Sequence, residues 1–268
     1  TLGTLTISSD KKSINYIPCP DCTTDSFTYT VSDGTATSTA GIVTMTVGDD
    51  YQVYVSNRYP EHVKQYDSGG SYKGNIIDLD VHPKSIAFGG GSENDDYIYV
   101  SRDNYREIYR FDSSTGQPYG YGGSTRNAEI FDFLRGNVIN DIQTAPDGYL
   151  YVSTSANKIY KFDVRDSPNR LTEITFASSG LSTPKGMAFD SAGNLYVINS
   201  GSGDIFKYDS SGAKSTFVSA AADGGMDDPY DLAFDSAGNL YVSSDEKEEI
   251  YRFNSAGQPY GYSGSSTN

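Results

Sequence analysis

The chain has 268 residues, with 35 acidic against 20 basic side chains, a formal charge of −15, 23 Tyr, 12 Phe and no Trp. A field of that sign repels phosphate backbones and anionic lipid, and no run of about 18 apolar residues is present, so nucleic acid and membrane insertion are excluded as expectations. The length suits one large domain plus part of another, and the many aromatic rings supply bulk for packing sheet on sheet.

Residues 1–48 read as four short alternating segments, GTLTISSD, SINYIPCP, DSFTYTVSDG and TAGIVTMTVG, separated by Asp, Gly, Ser and Pro turns. Phe27, Tyr29 and Val31 alternate with Ser26, Thr28 and Thr30, which predicts a strand with one apolar face. Gly3-Thr4-Leu5-Thr6, Tyr16-Ile17-Pro18 and above all Asp25 to Gly34 resemble the C-terminal half of the cadherin-like or bacterial Ig-like repeats of prokaryotic surface proteins. The resemblance implies a partial β-sandwich with an open edge, so that either the chain has lost its start or another chain covers that edge.

The only cysteines, Cys19 and Cys22, stand in CPDC. Redox catalysis would want that motif at a helix start, and zinc would want a second ligand pair that His62 and His82 do not supply. A short-loop disulfide formed in an oxidising, extracellular compartment is the preferred reading. Asp49 and Asp50 then make a short acidic linker. In cadherin-like tandems such junctions bind calcium, but Ca²⁺ takes six to eight oxygens, so a plain polar linker is preferred over a Ca²⁺ site there.

From residue 51 to 268 one pattern recurs. FDSAGNLYVSSDEKEEIYRF at 234–253 matches FDSAGNLYVINSGSGDIFKY at 189–208 and APDGYLYVSTSANKIYKF at 145–162, with divergent copies at 95–111 and 51–66. The central tyrosines Tyr54, Tyr99, Tyr151, Tyr196 and Tyr241 lie 45, 52, 45 and 45 residues apart. A period near 45 with paired strands in each copy predicts a radial β-array. Each copy reads as four strands. The inner one is Pro-led (HPKSIAF, TPKGMAFD, DPYDLAFD, with GNVINDIQTA at 136–145 aligning less cleanly), and two central strands follow. The outer strand is GQPYGYGG at 116–123, LTEITFA at 171–177, STFVSA at 215–220 or GQPYGYSG at 257–264.

Pro229, Leu232 to Asp235, Gly238 to Val242 and Ile250 to Phe253, with their counterparts at 184–208, resemble the NHL-type six- or seven-bladed propellers. The predicted fold is therefore all-β: a partial Ig-like sandwich at 1–48, a linker at 49–50, and a β-propeller at 51–268 with five recognisable four-stranded blades, six when closed. The first copy lacks an inner strand, so five outer triplets face four inner strands. Such open edges could be filled by strands from a neighbouring molecule.

Candidate chemistry is sparse. No Gly-x-Ser-x-Gly elbow accompanies the two histidines, and no catalytic residues are assigned. Asp141 and Asp231 align with Ser85 and Gly186, one residue before the apolar inner-strand position, and alternation points them toward the central channel, where they are the candidate cation ligands. The commoner fate of such aspartates is a bond to neighbouring backbone. Tyr119, Tyr121, Tyr260 and Tyr262 in the doubled Tyr-Gly-Tyr are candidate contacts for a partner, and equally a cover for the blade edge. The favoured reading is a non-catalytic extracellular binding or structural module contacting protein or glycan, with no required cofactor. The alternatives are a filament subunit joined by strand exchange and a metal-dependent propeller lyase or lactonase.

Overall fold

The computed structural model describes four strands within 4–46 and residues 52–67, 70–78, 82–89, 97–103, 107–118, 129–131, 137–164, 173–222 and 226–259. The chain divides into two compact units, Thr1–Tyr54 with Gln65–Gly74, and Val55–Lys64 with Asn75–Asn268. In the first, β1 (Thr4–Ile7) pairs antiparallel with β2 (Ile14–Ile17), and β3 (Thr24–Tyr29) with β4 (Gly41–Thr46), Phe27 standing opposite Val43. These are the four segments expected from their alternation. Cys19, Cys22, Asp49 and Asp50 lie outside the described residues, as do Tyr119, Tyr121, Tyr260 and Tyr262.

The repeats form five sheets of three or four antiparallel strands, numbered as blades 1 to 5 in chain order. Blade 1 is β5 (Val53–Asn57), β6 (His62–Tyr66) and β7 (Tyr72–Asp78). Blade 2 is β8 (Pro83–Gly89), β9 (Tyr97–Arg102), β10 (Ile108–Asp112) and β11 (Glu129–Phe131). Blade 3 is β12 (Ile139–Thr144), β13 (Tyr149–Thr154), β14 (Lys158–Asp163) and β15 (Glu173–Ala177). Blade 4 is β16 (Pro184–Phe189), β17 (Leu195–Asn199), β18 (Asp204–Tyr208) and β19 (Lys214–Val218), and blade 5 is β20 (Pro229–Phe234), β21 (Leu240–Ser244) and β22 (Glu249–Phe253). The inner strands β8, β12, β16 and β20 follow one another side by side. Blade 1 has three strands among the described residues.

One expected strand falls elsewhere. In blade 2 the outer strand is β11, not 116–123. Pro118 makes only an isolated bridge to Phe111, and Pro259 repeats this with Phe253. Proline has no N–H to continue a ladder. The preceding glycines explain why the motif occurs twice. Gly116 and Gly257 turn at φ +66° and +75°, and a Cβ would overlap the carbonyl oxygen of Ile76 in one case and Phe217 in the other, each on the previous blade's outer strand. The doubled sequence is a turn pressed under its neighbour.

The cores lie between blades. Ala87, Tyr99 and Ile108 pack with Ile142, Leu150 and Val152, Ile159 of blade 3 with Met187 and Val197, and Ile198 and Ile205 of blade 4 with Leu232 and Val242. Central strands are therefore covered on both faces, which is why β9 and β17 read as nearly unbroken apolar runs rather than as alternation. Burial of each such side chain contributes about 1.5–3 kcal/mol.

The turns between inner and second strands fix the spacing. Asp235 Oδ1 accepts from the N–H groups of Ala237 (3.0 Å) and Asn239 (2.8 Å), and Oδ2 from Asn239 Nδ2 (2.8 Å) and the Tyr241 hydroxyl (3.3 Å). Asp190 makes the same four bonds with Ala192, Asn194 and Tyr196. The Asn239 side chain, followed by its backbone N–H, holds the Asp235 carboxyl below the usual carboxylate range. Asp-Ser-Ala-Gly-Asn is thus an Asp-centred turn that also anchors the central tyrosine.

Candidate functional site: the inner-strand carboxyls and the inter-blade clefts

Each inner strand carries a bulge at the same place, between Pro83 and Ile86, Ile139 and Asp141, Pro184 and Met187, and Pro229 and Asp231. Strict alternation fails there, because a bulge re-aims the side chains beside it. Ser85, Asp141, Gly186 and Asp231 occupy these positions, so the aligned column is real, but its members are not four equivalent groups facing open space.

Asp141 is 7% exposed. Its Oδ1 accepts from the N–H of Ile142 at 2.8 Å and from the Ser85 hydroxyl of blade 2, and its Oδ2 accepts from the N–H of Met187 in blade 4 at 2.8 Å. One carboxyl thus ties three consecutive inner strands. Burial, and next the charge of Asp231, push it up to about 7 against the pull of those donors. Asp231 accepts from the N–H of Leu232 at 2.8 Å, and its own N–H donates to Ser243 Oγ at 3.1 Å. Its side chain is exposed, yet neighbouring strands strip enough water to raise its carboxyl too.

Gly186 lies between the two. A Cβ there would stand 2.7 Å from Asp231 Cα and 2.9 Å from the Tyr230 carbonyl oxygen. Only glycine lets β16 and β20 approach so closely.

The residues just before this column reach to the next blade. Lys84 Nζ donates to the Ile139 carbonyl (3.1 Å), Asn140 Nδ2 to the Pro184 carbonyl (2.7 Å), and Lys185 Nζ to Asp228 Oδ1 (2.6 Å) while lying 4.9 Å from the Tyr230 ring centre. Burial lowers Lys84, with Asp103 and Asp141 acting in the opposite direction. Tyr230 is raised, first by burial and then by the carboxylates of Asp103, Asp245, Asp231 and Asp141. Blades 2 to 5 therefore converge on one small, mostly acidic region holding two lysines. The lysines were missed from the sequence, although Pro-Lys in HPKSIAF and TPKGMAFD repeats one residue before the aspartate column.

Chemically, the arrangement holds a proton on a buried carboxyl near neutral pH. For a cation it supplies one open carboxylate, Asp231, and one already engaged by three donors, Asp141. Among the described residues no group of three or more His, Cys, Asp or Glu side chains converges on one point. His82 packs on Tyr59 (ring centres 4.7 Å apart), its Nδ1 is 3.1 Å from Glu61 Oε1, and His62 Nδ1 is 3.0 Å from Asp78 Oδ1.

A second kind of site lies between blades. A cleft of about 590 Å³ at the blade 3–4 junction has Tyr151 in its floor, with Phe176 and Phe189 set edge-on to it at 78° and 73°, both with ring centres 5.1 Å away. The blade 4–5 junction repeats it in about 380 Å³, with Tyr196 between Phe217 (85°) and Phe234 (70°), both at 4.8 Å. Lys161 and Lys207 take matching places at these clefts.

The family model described as Bacterial Ig domain matches residues 1–46. Among curated proteins none is significantly similar in sequence. Solved structures with similar folds include the nidogen/laminin complex, with 18% identity and a TM-score of 0.60 over 80% of this chain and 76% of that one. A gluconolactonase from Xanthomonas campestris has 19% identity and a TM-score of 0.57 over 78% and 71%. Virginiamycin B lyase from Staphylococcus aureus has 16% identity and a TM-score of 0.56 over 98% and 78%. At these identities the likeness is one of fold, and it places the repeat region among β-propellers.

Proposed function

We propose that the protein is a non-catalytic extracellular binding module of a prokaryotic surface or secreted protein, in which an NHL-like propeller follows an Ig-like repeat along the chain and acts through its outer surfaces. The observation that carries this reading is the employment of the inner-strand polar groups. Asp141, Lys84, Asn140 and Lys185 are all bonded to a neighbouring blade, so the residues best placed for chemistry are occupied in joining blades. The bacterial Ig match at 1–46 supports a surface setting, and the nidogen/laminin neighbour is a propeller fold engaged with protein. The test is a screen of the full chain against lactone, ester and glycoside substrates with and without Ca²⁺ or Mg²⁺, run beside binding to arrayed glycans and matrix proteins. Retention on at least one surface without turnover is expected. Turnover that disappears in Asp141→Asn or Asp231→Asn would overturn the reading and favour the lyase or lactonase alternative.

A second reading is end-to-end assembly through the terminal blades. Val55 and Tyr59 of the first blade are 42% and 66% exposed, and Tyr230 and Ile250 of the last are 47% and 71% exposed, whereas among the described residues the blades between present fewer such groups. Light scattering across a concentration series would reveal filaments or oligomers.

A further inference from the structure

The geometry points to the two inter-blade clefts as equivalent subsites for a neutral pyranose sugar, one blade apart. This deepens the binding reading above and rests on it. Both clefts fall in the volume range that small ligands occupy. Their floors are preformed. Tyr151 and Tyr196 are 5% and 3% exposed, and their hydroxyls are held by Asp147 Oδ2 (3.4 Å) and Asp190 Oδ2 (3.2 Å). The flanking Phe176, Phe189, Phe217 and Phe234 are half-buried, so each offers part of a ring to a ligand. The C–H face of a pyranose packs on such a ring, and its edge then presents hydroxyls that both donate and accept.

The rims supply both partners. At the first cleft Asp209 gives one oxygen to its own loop, Oδ1 accepting from the N–H groups of Ser211 (2.9 Å) and Ala213 (2.9 Å), which leaves Oδ2 toward solvent, and Lys161 offers an ammonium 4.6 Å from the Tyr149 ring centre. At the second, Asp190 and Asp235 stand with Lys207, whose Nζ is 3.8 Å from Asp190 Oδ2 and 5.2 Å from the Tyr196 ring centre. Anionic ligands meet carboxylates at both rims; the oxygens of Asp190 and Asp235 are already engaged in their turns, so the groups a purely apolar ligand would leave unanswered are Asp209 Oδ2 and the two ammonium groups. A neutral polyol with one apolar face satisfies all of them.

The chain contains its own control. At the blade 2–3 junction Thr144 stands where Phe189 and Phe234 stand in the next two inner strands, and its hydroxyl donates to the Phe88 carbonyl. The inner-strand ring of the pair is therefore replaced by threonine, and no subsite is expected at that junction. Two weak, similar sites on one chain gain by avidity on a repetitive glycan.

The experiment is saturation-transfer NMR and calorimetry on the full chain with the methyl glycosides of glucose, galactose, mannose and N-acetylglucosamine. At least one should bind, with millimolar to high-micromolar affinity and two sites per chain. Phe176→Ala should remove one site, Phe217→Ala the other, and the double variant all binding. Lys161→Gln and Lys207→Gln, on the rims, should weaken binding several-fold with the melting temperature unchanged, which separates loss of the site from loss of the fold. No transfer to any of the four glycosides, or transfer undiminished in a folded double variant, overturns the subsites and leaves the non-catalytic reading standing. Binding followed by chemical conversion of the glycoside overturns the non-catalytic reading and leaves the subsites standing.

Discussion

Asp141 and Asp231 occupy matching positions on the inner strands of blades 3 and 5, after the same bulge and before the same kind of apolar residue. One is almost wholly buried and accepts hydrogen bonds from three inner strands, whereas the other is exposed and accepts from the residue that follows it. The difference lies in what comes next. Asp141 has blade 4 beside it, and Met187 of that blade supplies its third donor. Asp231 has no following inner strand among the described residues. Tyr196 and Tyr241 differ in the same way, the first gripped by two phenylalanines and the second, among the described residues, held by its turn and by Arg252. A repeat unit thus specifies half of an interface, and its residues acquire their properties only when the next unit is in place.

The largest test of this contrast is removal of each carboxylate. Asp141→Ala leaves the N–H groups of Ile142 and Met187 and the Ser85 hydroxyl without their acceptor in a buried place, and should cost on the order of 3–5 kcal/mol. Asp231→Ala should cost under about 1 kcal/mol, because solvent can replace what is lost. Urea unfolding of both variants measures the gap. Equal costs would mean that Asp231 is sealed in solution by something that supplies the missing donor.

The pH dependence sharpens the same point. An acid whose folded-state value is raised stays protonated in the native protein after the unfolded chain has ionised. Its contribution is complete below the unfolded value near 4 and is lost as pH rises through the folded value, about 7 for Asp141. The wild-type protein should therefore lose stability relative to Asp141→Asn by about 1.4 kcal/mol per pH unit within that window, with a flat difference below it. Carboxyls held low, such as Asp235 and Asp228, act at the other end, where their contribution disappears as pH falls through their folded values. Melting temperatures of the two proteins from pH 3 to pH 8 give the slope directly. A difference independent of pH would show that Asp141 titrates alike in the folded and unfolded chain, with no net shift on burial.

The repeat made most of the propeller legible. Leu240, Tyr241 and Val242 or Ile205 and Phe206 announce central strands because covering on both faces demands continuous apolar side chains, and the tyrosine spacing sets the blade period. The aspartate column was legible too, since it stands one residue before the apolar inner-strand position and, in three of the four copies, two after Pro. What it would touch was not. The bulge that turns Asp141 onto Ser85 and Met187 is a property of pairing between strands, and period-two reasoning cannot see an extra residue. The glycine turn at 116 misled for a related reason, as the segment after it looked like the outer strand of blade 2, which β11 supplies, while Pro118 makes only an isolated bridge to Phe111. The clefts were hidden because each is assembled from two repeats: Tyr196 and Phe217 from one, Phe234 from the next.

The smallest expected effect separates the two tyrosines. Tyr196→Leu removes two edge-on ring pairs at 4.8 Å as well as the bond to Asp190, a loss of about 2 kcal/mol at roughly 0.5–1.5 kcal/mol per aromatic pair. Tyr241→Leu forfeits the Asp235 bond and the Arg252 guanidinium 5.6 Å from its ring centre, together under about 1 kcal/mol for groups that water reaches. Thermal unfolding at several protein concentrations checks both at once. If Tyr241→Leu is costly only at high concentration, a second molecule is providing the phenylalanines that blade 4 receives from within its own chain and from blade 5. If its cost is large at every concentration, the covering group belongs to the same polypeptide. A small cost throughout leaves the face of blade 5 open, as its 71% exposed Ile250 already suggests.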